Sequence, residues 1–245
     1  MKRIYRHIFL KGLLTGTGIL LWAVLSVSGQ ERYSFNRKVV NWGVKAGLNA
    51  NAMMHLQVTQ GEEELTDVSF RNKTGCDIIG FFRLNLDRFF IQPEFGWTVL
   101  NKDILFSLPE NDRLLPVELS FRTQTANANG LIGYNITKTG PFVFNVLAGT
   151  SLRYRFSTRM ETGNTIYSNS HPANSYQYNN PMYNAYALVG FSMNISNIHF
   201  NIRYAVSMFA PDIYFDELPD KPDRLEGIVI RKNENILSFS CGVMF

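Results

Sequence analysis

Several things are scarce in this chain, and each scarcity removes an option. Of 245 residues only two are cysteines, Cys76 and Cys241, and four are histidines. That set fits no Cys/His metal spacing, so neither a metal centre nor a cofactor is expected. Past residue 29 no run is apolar and long enough for a membrane helix, which needs roughly 20 such residues. Charge of one sign is also missing. Residues 1–29 hold four of the 24 Lys and Arg and none of the 20 Asp and Glu, so the rest of the chain is balanced. A neutral chain without a basic stripe has no electrostatic footprint for nucleic acid, and none is expected as a partner.

The N-terminus has its own pattern. Lys2, Arg3, Arg6 and Lys11 precede an uncharged run with Ile19-Leu20-Leu21-Trp22-Ala23-Val24-Leu25 at its centre, and Ser26, Ser28 and Gly29 close it. A basic start, an apolar middle and a small-residue exit predict a cleaved signal peptide over 1–29. The competing reading, a spanning helix, suffers from the shortness of the apolar part. No cysteine sits at the boundary to carry a lipid anchor. Residues 30–245 show no linker and read as one domain.

Within that domain the dominant signal is alternation of period two, the mark of strands with two different faces. The first candidate strand, near 40–50, sets Trp42, Val44, Ala46 and Leu48 against Gly43, Lys45, Gly47 and Asn49. The second, near 76–86, sets Ile78, Phe82 and Leu84 against Asp77, Phe81 and Arg83. The third, near 89–100, sets Phe89, Ile91, Phe95, Trp97 and Val99 against Gln92, Glu94 and Thr98; Pro93 withholds a ladder hydrogen bond, so a bulge is expected there. The fourth is least clear, within 117–136, with Ala126, Ala128 and Ile132 against Asn127 and Asn129. The fifth (141–156), sixth (183–195), seventh (198–209) and eighth (229–245) alternate strongly, the last with Leu237, Phe239, Cys241, Val243 and Phe245 on one side.

The connections choose the architecture. Three are tight, at Asp87-Arg88, Thr137–Gly140 and Ser196-Asn197; the others are expected to be long loops at 52–75, 101–116, 157–182 and 210–228. Strict alternation of short turns and long loops, with apolar residues outward and polar residues inward, predicts an all-β, eight-stranded antiparallel up-and-down transmembrane barrel. A closed sheet has no free edge, so every backbone polar group is paired inside lipid. Both termini then lie on the periplasmic side of the cell outer membrane, and outer-membrane lipid is the first partner. A soluble ligand-binding barrel, the alternative, has no reason to sort its loops this way. On this map Cys76 sits near the outer rim and Cys241 near the other end, so no disulfide is expected.

The segments Trp42-Gly43-Val44-Lys45-Ala46-Gly47-Leu48-Asn49, Ile79-Gly80-Phe81, Gln92-Pro93-Glu94 and Gly242-Val243-Met244-Phe245 resemble the PorT-type family of small eight-stranded outer-membrane β-barrels. The fourth strand departs from it, being unusually polar from Thr123 to Asn129. The resemblance implies fold and location, and in some members partnership with a secretion apparatus. The terminal Phe245 resembles the signal read by the barrel-insertion machinery.

Alternation sends Lys45, Arg83, Glu94, Arg153 and Arg203 into the lumen, with Lys45, Arg83, Glu94 and Arg203 at similar depth. An eight-stranded barrel is just wide enough for side chains to fill, so this layer is expected to plug it, with Glu94 accepting from Arg83 or Arg203. A narrow anion path is the alternative. No catalytic residue is assigned: His55 and His171 have no acids at metal spacing, and adjacency of Ser168 or Ser170 to His171 is poor evidence for a catalytic pair. Tyr167, His171, Tyr176 and Tyr178, among many Asn and Ser, are the binding candidates of the third loop. The fourth loop is acidic but lacks calcium-loop spacing. Two readings remain: a non-catalytic docking or structural barrel, and a small-solute pore or outer-membrane lipid-modifying enzyme.

Overall fold

The computed structural model describes residues 39–60, 63–65, 68–110, 113–137, 142–162, 165–168, 178–179, 182–209, 213–215 and 228–245. The proposed signal peptide lies outside them. Twelve strands form one antiparallel sheet: β1 (Val40–Gln60), β2 (Glu63–Glu64), β3 (Ser69–Leu86), β4 (Phe89–Glu110), β5 (Arg113–Asn135), β6 (Phe142–Thr162), β7 (Thr165–Ser168), β8 (Tyr178–Asn179), β9 (Tyr183–Ile195), β10 (Ile198–Ser207), β11 (Ile213–Phe215) and β12 (Ile228–Met244). Eight of them run in the order β1-β3-β4-β5-β6-β9-β10-β12, and pairing of β1 with β12 closes the ring. The short β2, β7, β8 and β11 hang on the rim. The seam is sealed at its last residue, where Trp42 and Phe245 exchange backbone hydrogen bonds of 3.1 and 2.7 Å. Their rings lie 4.8 Å apart.

Face assignments agree with the alternation. Trp42, Val44, Leu48, Ile78, Phe82, Phe95, Ile132, Leu152, Phe191, Ile202 and Phe239 are exposed on the outer surface, while Asn41, Lys45, Asn49, Gln92, Glu94, Asn129, Asn145 and Asn201 are buried inside. Aromatic pairs stand at both ends of this apolar belt: Phe89 with Tyr134 beside the Asp87-Arg88 turn, and Tyr154 with Tyr183 at the other end. Val99, expected outside, is buried. Inside, several glycines lie under a neighbour's side chain. A Cβ on Gly133 would stand 1.9 Å from the Phe90 ring, and one on Gly43 would stand 2.6 Å from Phe81. Small residues on one strand thus accommodate large ones on the next.

The loops need correction. Residues 52–75 and 101–116 are mostly strand, because β1 runs to Gln60, β3 begins at Ser69, and only residues 111–112 separate β4 from β5. β6 likewise continues to Thr162, where a loop is expected. The physical reason is that the apolar face turns inward beyond the belt, and on β1, β3 and β6 a change of phase accompanies the turn. Two residues of β3, Thr74 and Gly75, stand against one of β4; β1 shifts register between Met53 and His55; and Phe156 of β6 has no partner between Arg155 and Ser157. An extra residue moves all later side chains to the opposite face. Inward residues on β1 are odd-numbered up to Asn51 and even-numbered at Leu56 and Val58; on β6 they are odd up to Arg153 and even at Thr158 and Met160. Beyond the belt the outer surface faces water, so apolar residues turn inward. There Val58, Leu65, Ile104, Phe106, Leu119, Phe121, Met160, Ile228 and Ile230 form a dry core. The bulge expected at Pro93 does not occur: pairing with β5 runs unbroken from Gln92-Leu131 to Glu94-Asn129. The proline instead costs pairing on its other side, where no partner pair forms at residues 92–93 of β4 with 82–83 of β3.

Candidate functional site

The belt-level lumen is organised by Glu94. Lys45, projecting from β1, donates to its Oε1 at 2.5 Å, and both side chains are 0% exposed. Arg203 of β10 donates to Oε2 at 2.6 Å. Gln92 donates to Oε1 at 2.7 Å, and Asn129 to Oε2 at 3.0 Å. One carboxylate therefore ties together β1, β4, β5 and β10 across the barrel. Such an arrangement satisfies what low dielectric demands of a buried charge: opposite charges in contact and the remaining lone pairs hydrogen-bonded.

Not every expected partner is there. Arg83 does not reach Glu94; its Nε donates to Gln92 Oε1 at 2.6 Å, and its guanidinium lies 4.1 Å over the Phe90 ring. Gln92 thereby links Arg83 to the carboxylate at second hand. Arg153 is also apart, its guanidinium 4.5 Å over the ring of Tyr186. Lys102 and Glu234 form a second buried ion pair, absent from the sequence expectation because Lys102 lay in an assumed loop. Leu100, Leu131, Leu147, Tyr186, Leu188, Ala205 and Ile236 form an apolar cluster on the β4–β6, β9, β10 and β12 walls. His199 faces the lumen, with Nδ1 2.6 Å from Asn194 Oδ1 and its ring 5.2 Å from Phe81. Some buried polar atoms have no protein partner: both amide atoms of Asn201, Ser240 Oγ and two guanidinium nitrogens of Arg153.

The loop candidates fare differently. Tyr167 lies on β7, in register with Met160, and Tyr178 on β8, in register with Phe215. His171 and Tyr176 lie outside the described residues, as does most of the acidic fourth loop. Among the described residues no three His, Cys, Asp or Glu gather at metal-binding distance. Both cysteines are free and exposed. The separation in depth expected between them is not there, since Leu48 pairs with Cys76 and Ala46 with Cys241. Two strand spacings sideways and two residues along put their Cα atoms about 12 Å apart, still beyond the roughly 7 Å a disulfide tolerates.

No protein-family model and no curated protein matches the chain. Solved structures do. The outer membrane protein OprG from Pseudomonas aeruginosa superposes over 85% of this chain and 97% of its own, with a TM-score of 0.51 at 10% identity. The outer membrane protein AlkL in DMPC bilayers covers 89% and 96%, with a TM-score of 0.46 at 12% identity. At 10% identity the likeness to OprG is one of fold, and it agrees with the ring order above: the chain has the eight-stranded barrel fold seen in outer-membrane proteins.

Proposed function

We propose that this protein is a non-catalytic integral barrel of the outer membrane, closed to solutes, that serves as a docking or structural component. The observation that carries this reading is the Lys45–Glu94–Arg203 network, whose central pair has no solvent exposure and which spans the lumen from wall to wall. The belt of exposed Phe, Ile, Leu and Val around a polar interior is what lipid selects and water penalises. Beyond the belt, β1, β3, β4, β5, β6 and β12 continue as a paired wall with an apolar core of its own, a platform for a partner. By the sidedness of short turns and long connections, that platform faces outward and both termini face the periplasm.

The resemblance to PorT-type barrels supports placing the docking role with a secretion apparatus, and Phe245 at the sealed seam suits a signal for the barrel-insertion machinery. Co-isolation from detergent-solubilised outer membranes tests the docking role. The full chain should retain partners that a version trimmed at the β4–β5 hairpin tip, around residues 107–116, loses. Equal recovery by both counts against the platform. A second reading, a narrow pore, is favoured by the unpartnered polar atoms of Asn201 and Ser240. Ion conductance separates the two.

A further inference from the structure

Just past the belt, the outer surface of β3 to β6 changes from apolar to charged. The registers line up Lys73, Asn101, Arg122 and Arg159 as one row across the four strands. Arg71, Asp103, Ser120 and Glu161 form the next row outward. Neighbours on these strands fix the outward direction: Phe121 and Thr123 flank Arg122 and are buried, as Thr158 and Met160 are around Arg159. In the outer row Asp103 receives Lys73 at 2.6 Å and Ser120 at 2.6 Å, and Glu118, farther out, stands 3.9 Å from Arg71. The row nearest the belt thus carries Lys73, Arg122 and Arg159 and no acid, while the acids lie beyond it together with Arg71.

Within the inner row Arg122 and Arg159 are directly opposite each other, and both are exposed. Placed where an anion recurs, this pair becomes a clamp, because two guanidinium forks fit the oxygens of one phosphate. Height settles which anion. Arg159 is three residues past Phe156 and Arg122 four past Ala126, the last outward apolar residues of their strands. At about 3.3 Å per residue and a tilt near 40°, that is roughly 8–10 Å above the belt, within reach of the head-group layer.

We propose that the Arg122–Arg159 pair binds the phosphate of a lipid head group in the outer leaflet, with that lipid's chains lying against Phe156, Ala126 and Trp97. The proposal rests on the belt being embedded in lipid, and the test reports on that separately. Trp97 is 39% exposed on the belt below the row. In a Trp42→Phe background it is the one tryptophan after residue 29. The protein is reconstituted in phosphatidylcholine vesicles, and quenching of Trp97 is compared for brominated phosphatidic acid and brominated phosphatidylcholine. Each cation at a lipid surface is worth about fivefold, so the arginine pair should favour phosphatidic acid by roughly 30-fold. Arg122→Gln with Arg159→Gln should abolish that preference, and the Lys/Lys double variant should retain part of it. Arg88→Gln, at the short-turn rim, should leave it unchanged. A preference that survives the Gln/Gln change, or one displaced by millimolar inorganic phosphate, overturns the proposal. Absence of quenching by either lipid would instead refute the membrane embedding itself.

Discussion

Replacing Glu94 by glutamine is the sharpest perturbation of the lumen. The carboxylate holds Lys45 at 2.5 Å and Arg203 at 2.6 Å, with Gln92 and Asn129 completing its coordination. Glutamine keeps one acceptor and turns the other into a donor, so an N–H group faces Arg203 or Lys45, and two buried cations lose their counter-charge. Each hydrogen bond to a charged group contributes about 1.5–3 kcal/mol, and breaking a buried pair from one side costs about 3–5 kcal/mol. We therefore expect Glu94→Gln to destabilise the folded barrel by about 3–5 kcal/mol. At a typical urea slope this lowers the unfolding midpoint by about 2 M. Urea titration of the reconstituted protein, followed by tryptophan emission and by gel mobility without boiling, measures the shift. Converting all three residues together (Lys45→Met, Glu94→Leu, Arg203→Met) should cost less than the single change, since no charge is then stranded. A loss below about 1 kcal/mol for Glu94→Gln, comparable to Arg88→Gln at the exposed turn, would show that water reaches the carboxylate and that the plug reasoning is wrong.

Other consequences follow from the packing. Gly133→Ala should cost about 1–3 kcal/mol, because the new methyl would stand 1.9 Å from the Phe90 ring; Phe90→Leu should relieve part of it, and additive effects in a double-mutant cycle would exclude the contact. Ile202→Arg places a charge on the exposed belt of β10 and should cost about 2–4 kcal/mol by the same titration, whereas full tolerance would mean that no lipid covers Ile202. Ser196 holds φ at 52°, so Ser196→Gly should be neutral or raise stability by up to about 1 kcal/mol, and a clear loss would mean the turn differs. Cys76 and Cys241 should each take a maleimide in unfolded protein without prior reduction; a mass gain seen after reductant alone would reveal a bridge.

How much of this was legible in the sequence depended on phase. In β9, bounded as expected at Tyr183–Ile195, and in β10 and β12, one alternation runs through the belt without a shift, and period two reads them directly. β1, β3 and β6 each pass a bulge, after which the inward residues change parity. At the same height the environment outside the wall changes from lipid to water, so the apolar residues move to the other face. On these three strands the two inversions cancel, so Phe156 and inward Met160 keep one parity, whereas β4 and β5 pass no bulge and their apolar residues change parity, from outward Trp97 to inward Ile104 and from outward Ala126 to inward Phe121, so 101–116 reads as a loop. The charge layer was visible in part. Inward direction follows from parity, which places Lys45, Glu94 and Arg203 together, but their contacts depend on strand stagger, which alternation does not encode. Hence alternation offers Arg83 or Arg203 to Glu94 and does not choose: Arg203 makes the contact, Arg83 goes to Gln92 and Phe90, and Arg153 goes to Tyr186. The Lys102–Glu234 pair lies on segments at or beyond the change of environment and left no sequence signal.

The Lys45–Glu94–Arg203 network predicts a lumen closed by its own side chains. Planar-bilayer recording on the purified, folded barrel tests it most directly. With the Lys45–Glu94–Arg203 network intact, the protein should give no steady ion current above the bare bilayer. The simultaneous change of Lys45, Glu94 and Arg203 to alanine, which empties the central layer, should introduce conducting events if the fold survives by gel mobility. Reproducible ohmic steps from the unaltered protein, with a conductance that rises with salt, would contradict the account and establish the pore.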